Sequence, residues 1–195
     1  MAEQIEDGLG SGRRAKVDRN NALLTQTIME TGDAEASNNG DAYNINTGDI
    51  AYTGTGDSSL IYLKNNEDRD LHIDAIAVGV GLLTATITDS VRVTLINGPT
   101  GGDLISDATA VDMNQNRNLG STRTLEALAY KGKNGGTVTG GNDIGQFYLS
   151  SQSRLYAPIK LVLPKGSSAA LKVDLNTSGG GNVYAAFVCH IAPLR

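Results

Sequence analysis

His72 and His190 are the side chains of this 195-residue chain best suited to proton transfer near neutral pH or to metal ligation. The sequence gives neither a partner for that work. They stand more than a hundred positions apart in two apolar runs, LHIDAIAVGV and VYAAFVCHI, and no carboxylate or cysteine stands at an offset that reads as a metal motif. His72 therefore reads as a strand-face residue and His190 as a core or interface residue. No serine stands in a Gly-x-Ser-x-Gly elbow. Gly132-Lys133-Asn134 lacks the spaced glycine and the following Ser or Thr of a phosphate loop, and Gly8, Gly10 and Gly12 lack the preceding strand and spacing of a dinucleotide fingerprint. The acidic run Asn65-Asn66-Glu67-Asp68-Arg69-Asp70 lacks the central glycine and distant glutamate of a calcium loop, and reads as a solvated turn. No enzyme, no cofactor and no metal are expected.

Composition narrows the class further. The net charge of -5 sets the chain against binding nucleic acid through its phosphates, which takes an excess of Lys and Arg. Cys189, the single cysteine, allows no internal disulfide and reads as a small buried hydrophobe. Glu3, Glu6 and Asp7 with no apolar stretch after them do not read as a secretory signal, and no run reaches the roughly eighteen apolar residues of a membrane helix. A protein made and kept soluble in a cytoplasm, without membrane contact, is expected.

The elements that must carry these residues are strands. Arg154 to Pro193 holds three apolar runs separated by Pro164-Lys165-Gly166-Ser167-Ser168 and by the polar stretch from Asn176 to Asn182. Alternation of Ile159, Leu161 and Leu163, then of Leu171, Val173 and Leu175, predicts an antiparallel meander with one buried face. The run from Val183 to Ile191 is apolar on both faces and predicts a central strand. With 24 glycines punctuating short apolar runs, an all-β antiparallel β-sandwich is expected.

Further strands are expected at Leu23 to Met29, around Tyr43 and Ile45, at Ile50 and Tyr52, at Leu60 to Leu63, and at Ser90 to Ile96, with turns at Thr47-Gly48-Asp49 and Gly54-Thr55-Gly56-Asp57. Glu30 to Asp41 reads as a polar loop. In Leu71 to Val80 the apolar pattern changes phase midway, which predicts a bulge or a change of sheet near Asp74 to Ile76. STRTLEALAYKGK is the best helix candidate, with Ser121 or Thr122 as its cap. Lys131 to Gly141 reads as a mobile or ligand-facing loop, and Tyr130, Lys131, Lys133, Phe147, Tyr148 and Tyr156 are the candidate loop contacts.

Residues 1–22 have no apolar periodicity and are expected to be an N-terminal arm, flexible or ordered by a partner, ahead of a domain at 23–195. Arg13, Arg14, Lys16 and Arg19 would be its partner-binding side chains on an acidic neighbouring subunit.

Two passages carry a resemblance. KLVLPKGSSAALKVDLNTSGGGNVYAAFVCHIA resembles the ends of jelly-roll virion proteins of tailed bacteriophages, and GDAYNINTGDIAYTGTGDSSLIYLKNNEDRDLHIDAIAVGVG is similar to the opening half of small phage structural proteins. Together they cover about two fifths of the chain. The resemblance implies a jelly-roll fold and a capsid decoration or cement subunit, located in the virion, whose arm locks onto a capsid or other virion subunit. Exposed sheet edges add the expectation of a homo-oligomer, trimer before dimer. The alternative is a neck or tail structural protein, or a carbohydrate-binding receptor module using Tyr130, Phe147, Tyr148 and Tyr156 as its platform. The absence of Trp counts against a sugar platform.

Overall fold

The computed structural model describes residues 16–17, 23–24, 32–53, 56–84, 90–106, 109–111, 115–176 and 179–192. The chain divides into two compact units, Met1–Thr31 and Gly32–Arg195. In the first, β1 (Lys16–Val17) pairs antiparallel with β2 (Leu23–Leu24). The remainder of the strand expected at 23–29 and the glycine-rich joint at 8–12 lie outside the described residues, as do Arg13, Arg14 and Arg19.

The second unit begins with α1 (Gly32–Asn39), followed by β3 (Ala42–Asn46), β4 (Ile50–Thr53), β5 (Asp57–Asn65), β6 (Leu71–Val80) and β7 (Val91–Asn97). The short helix α2 (Asp103–Ser106) and β8 (Thr109–Ala110) precede β9 (Ala127–Lys131), β10 (Asn142–Leu149), β11 (Arg154–Leu163), β12 (Ser168–Asp174) and β13 (Gly180–Ile191). The first sheet has the order β10-β7-β12-β5-β9-β8 and the second β11-β6-β13-β3, with β4 also on β13. All pairings are antiparallel.

One core joins the two sheets. Tyr43, Ile45, Ile73, Ile76, Val78 and Phe187 of the second sheet pack in the same buried cluster as Leu60, Leu63, Val91, Val93 and Leu171 of the first. Each such side chain taken from water contributes about 1.5–3 kcal/mol, which is how a chain without disulfides holds a sandwich together. The all-β, antiparallel class expected from alternation and glycine spacing is therefore what the chain adopts.

Several local expectations are corrected. The closing runs form strands but no meander: β11 and β13 lie in one sheet, β12 lies in the other, and none of the three pairs with another. Alternation reports one buried face per strand and is blind to which sheet that face belongs to. The same holds before β5, where the chain leaves β4 on β13 and enters the other sheet rather than closing a hairpin. Nor does Gly48, at φ 63°, reverse the chain: β3 and β4 both run antiparallel to β13, end to end along it.

The helix expected at STRTLEALAYKGK is an extended segment ending in β9, which pairs with β5 from Ile61↔Lys131 to Asn65↔Ala127. Leu125 and Ala129 are buried and Leu128 is exposed, a period of two that outweighs the helix propensity of Glu, Ala and Leu. The polar loop expected at 30–41 instead holds α1. Its first turn carries Asp33 and Glu35, favourable at the positive end of a helix. Its last turn is closed by Gly40 at φ 75°, with Asp41 N donating to Ala36 O and Gly40 N to Ser37 O, the paired bonds of a Schellman cap.

The phase change in β6 is a bulge within one sheet. Ala75 pairs with Val188 and Ile73 with Cys189, which leaves Asp74 without an opposite residue. Leu71 and Ile73 on one side of it, and Ile76, Val78 and Val80 on the other, all reach the shared core.

Candidate functional site

The bulge at Asp74 has a chemical consequence. It sits where β6 and β13 bring His72 and His190 into direct register, with ring centroids 4.9 Å apart and planes at 46°. The extra residue points the Asp74 carboxylate at the nearer ring, and Asp74 Oδ2 lies 2.8 Å from His190 Nδ1. Cys189, one position earlier, takes the opposite face of β13 and is packed in the core, where burial pushes its thiol well up. It is thus turned away from the imidazoles.

Helix α1 packs on β13 and β3 and brings a second carboxylate. Asp33, Asp74 and His190 each present a ligand-type atom, and these atoms lie within 4.8 Å of one another. Arg117 pairs with Asp33. Next to this group, buried Asp41 accepts from Arg69 Nη1 at 3.3 Å and pairs with Arg123, while Arg69 also donates to Ala192 O at 3.1 Å. His190 is 6% exposed. Charged groups so placed orient one another and offer oxygen and nitrogen donors.

The second candidate is a flank of the sandwich. β10 and β11 stand at the ends of their sheets, are consecutive in the chain, and are joined by residues 150–153. Among the described residues, β10 pairs with β7 alone and β11 with β6 alone. The opposite end of the second sheet is covered: Gln115 O accepts from Asn44 N and Arg117 N donates to Ala42 O. Phe147, Leu155, Ala157, Ile159 and Leu161 pack against the core yet stay part-exposed, while Tyr148 and Tyr156 are each 63% exposed. Next to this flank the first sheet carries a charge ladder of Arg92 with Asp57 and Asp174, and Lys172 with Asp57 and Asp143.

The sequence-expected contacts are strand residues for the most part. Tyr130 and Lys131 end β9, with Tyr130 stacked on Tyr62 at 5.8 Å, so this tyrosine covers the outside of the first sheet beside Leu104 of α2. Phe147 and Tyr148 lie on β10 and Tyr156 on β11; of the six, Lys133 alone is in a turn. The structure brings Phe147, Tyr148 and Tyr156 to one flank and leaves Tyr130 on another part of the sheet. The loop after β9 is anchored along its length: Asn134 Oδ1 accepts from Thr53 N, Gly136 O accepts from Ser59 N, and Thr139 bridges to Gly101. Lys16 is in β1. The histidine cluster escaped sequence reasoning because Asp33, Asp74 and His190 come from three elements; the phase change at Asp74 was its one visible trace.

No family model, no curated protein and no solved structure matches the chain. Among the described residues no helix is long and apolar enough to cross a membrane.

Proposed function

We propose that this protein is a structural subunit of a virion, of the capsid decoration or cement type, which works by fitting against other subunits. The observation that carries the assembly part of this reading is the flank formed by β10 and β11. Among the described residues it has two unpaired strand edges, half-covered core residues and two exposed tyrosines, and tyrosine is enriched at interfaces because an apolar ring and a polar tip suit a surface that is wet before binding and dry after it. A homo-oligomer, trimer before dimer, covers such edges by association. The virion part rests on the resemblance of residues 40–81 and 160–192 to phage structural proteins, and with it go a jelly-roll topology and an N-terminal arm bearing Arg13, Arg14, Lys16 and Arg19.

Two measurements test the reading. Sedimentation of the purified chain should give a discrete oligomer, and Tyr148→Ser with Tyr156→Ser should move it toward monomer while circular dichroism shows the strands still folded. Removing residues 1–22 should leave the sandwich folded and abolish attachment to particles; full occupancy by the truncated chain would end the arm hypothesis. The exposure of Tyr148 and Tyr156 also favours a second reading, a receptor-binding module of a neck or tail. Tyrosine-dependent binding on a glycan array would select it.

A further inference from the structure

We propose that Asp33, Asp74 and His190 form a binding site for a divalent transition-metal ion, with Zn²⁺ the best fit, and that the ion clips helix α1 to the second sheet. The proposal stands apart from the virion reading and would hold for any function of the fold.

The donor set is one imidazole nitrogen and two carboxylates. Imidazole with carboxylate suits zinc and its first-row neighbours, whereas calcium takes six to eight oxygens. The spacing is close to what they need. In the tetrahedral geometry that zinc prefers, bonds of about 2.0–2.2 Å set two donors on one ion roughly 3.3–3.6 Å apart. The 2.8 Å between Asp74 Oδ2 and His190 Nδ1 must open by roughly half an ångström or slightly more to admit the ion. The 4.8 Å limit on the full set asks a turn of the Asp33 carboxylate, whose side chain is 43% exposed and would make that turn at the expense of its pairing with Arg117. His190 is fixed by burial, and Asp74 by the bulge that singles it out. A metal site built from two held donors and one adjustable donor leaves further positions to water.

The place of the site in the fold explains what an ion would do. Helix α1 has eight residues, starts on Gly32, ends on Asn38-Asn39, and buries only Ala36. Isolated helices shorter than about 12 residues are marginal in water, so this one depends on tertiary ties. Its ties at the N-terminal end are Asp33 to Arg117 and the approach of Gly32 to His190, where an added Cβ would stand 3.7 Å from Nε2. An ion shared by Asp33 on the helix, Asp74 on β6 and His190 on β13 joins three elements at one point. Arg117 already neutralises part of the charge on Asp33 and competes with the ion, which sets the expected affinity in the micromolar range rather than below it.

The test uses the full, untagged chain. Titration with Co²⁺, followed by its visible ligand-field absorption, and with Zn²⁺ by calorimetry should give one ion per chain and a raised melting temperature. Asp74→Asn and His190→Gln should each weaken binding about tenfold or more. Should either fail to fold, Asp33→Asn, on the exposed side of the cluster, carries the test with the same expected loss. Arg117→Gln, which removes the competing cation, should bind more tightly than the natural chain. Absence of a Co²⁺ spectrum at sub-millimolar metal, or binding unchanged in Asp33→Asn, would overturn the site and leave Asp74–His190 as a hydrogen-bonded pair.

Discussion

Tyr52 on β4 donates its phenolic hydrogen bond to the Ser59 carbonyl on β5 at 2.6 Å, and so ties one sheet of the sandwich to the other through the core. The ring is 2% exposed, so no water can replace the bond if it is lost. Tyr52→Phe keeps the ring and strands a buried carbonyl, and should lower stability by about 1–3 kcal/mol. Tyr52→Ala adds a cavity and should cost about 3–5 kcal/mol. Urea unfolding of the two variants measures both; equal losses would mean that the hydroxyl alone matters, and no loss in Tyr52→Phe that the ring alone does.

Alkali should unfold this protein earlier than its surface charges suggest. Burial pushes Tyr43 from 10.0 up to about 12, and pushes Tyr52 and Cys189 up further. For each group the folded value lies above the unfolded one, so the folded chain keeps a proton that the unfolded chain releases. The stability is complete below the unfolded values, about 8.5 for the thiol and about 10 for the phenols, and falls as pH rises through the folded ones. Denaturant midpoints should therefore decline from about pH 8.5. In Cys189→Ala the decline should begin about 1.5 units later, when the tyrosines start to release protons.

The same burial should silence Cys189 as a nucleophile. Attack on a disulfide reagent needs an exposed thiolate, and this thiol is fully buried and holds its proton. At pH 8 the native chain should leave the reagent uncoloured over hours, and release one equivalent of thiol in denaturant. Rapid native labelling would mean that β13 opens locally.

What the sequence made legible was the strand content and the bulge, because alternation of Leu71 and Ile73 with His72, and its change of phase at Asp74, are written in neighbouring residues. Sheet membership was not legible. Leu161 and Leu171 stand in the same alternating pattern, yet they belong to different sheets. Helix α1 stayed hidden because a Gly-Asp-Ala-Glu-Ala-Ser-Asn-Asn run has no apolar stripe, and its evidence is the cap at Gly40 and the ion pair with Arg117. The candidate site was invisible for a related reason: pairing His72 with His190 needs the register of β6 on β13, which no single strand encodes.

Glycine at 132 is required by space rather than by dihedral freedom. A Cβ there would come 2.0 Å from the Ser59 carbonyl oxygen, which is backbone of a central strand and cannot swing aside. Gly166 is the contrasting case, with φ 81° and nothing within 4 Å of its absent Cβ. Gly166→Ala should cost about 1–2 kcal/mol from the left-handed backbone. Gly132→Ala should cost more, about 3 kcal/mol or above, because β9 must move off β5. Thermal melts of the two variants give the order, and a reversed order would refute the steric account.

Pro158 and Lys160 blunt the open edge at β11. Proline has no N–H to offer an incoming strand, and Lys160, at φ 37°, lies in the irregular stretch between Pro158 and Leu161 where the register on β6 shifts. In the proposed assembly, subunits would then meet through side chains such as Tyr156 without the edge recruiting strands indefinitely. Pro158→Val restores a donor and a β-branched residue to the strand, and Lys160→Asn removes the edge charge with a residue that tolerates the positive φ. The double variant should keep the melting temperature within a few degrees while light scattering rises steeply with concentration. A soluble double variant with unchanged scattering would mean that this edge is already covered, and would count against β11 as part of the interface.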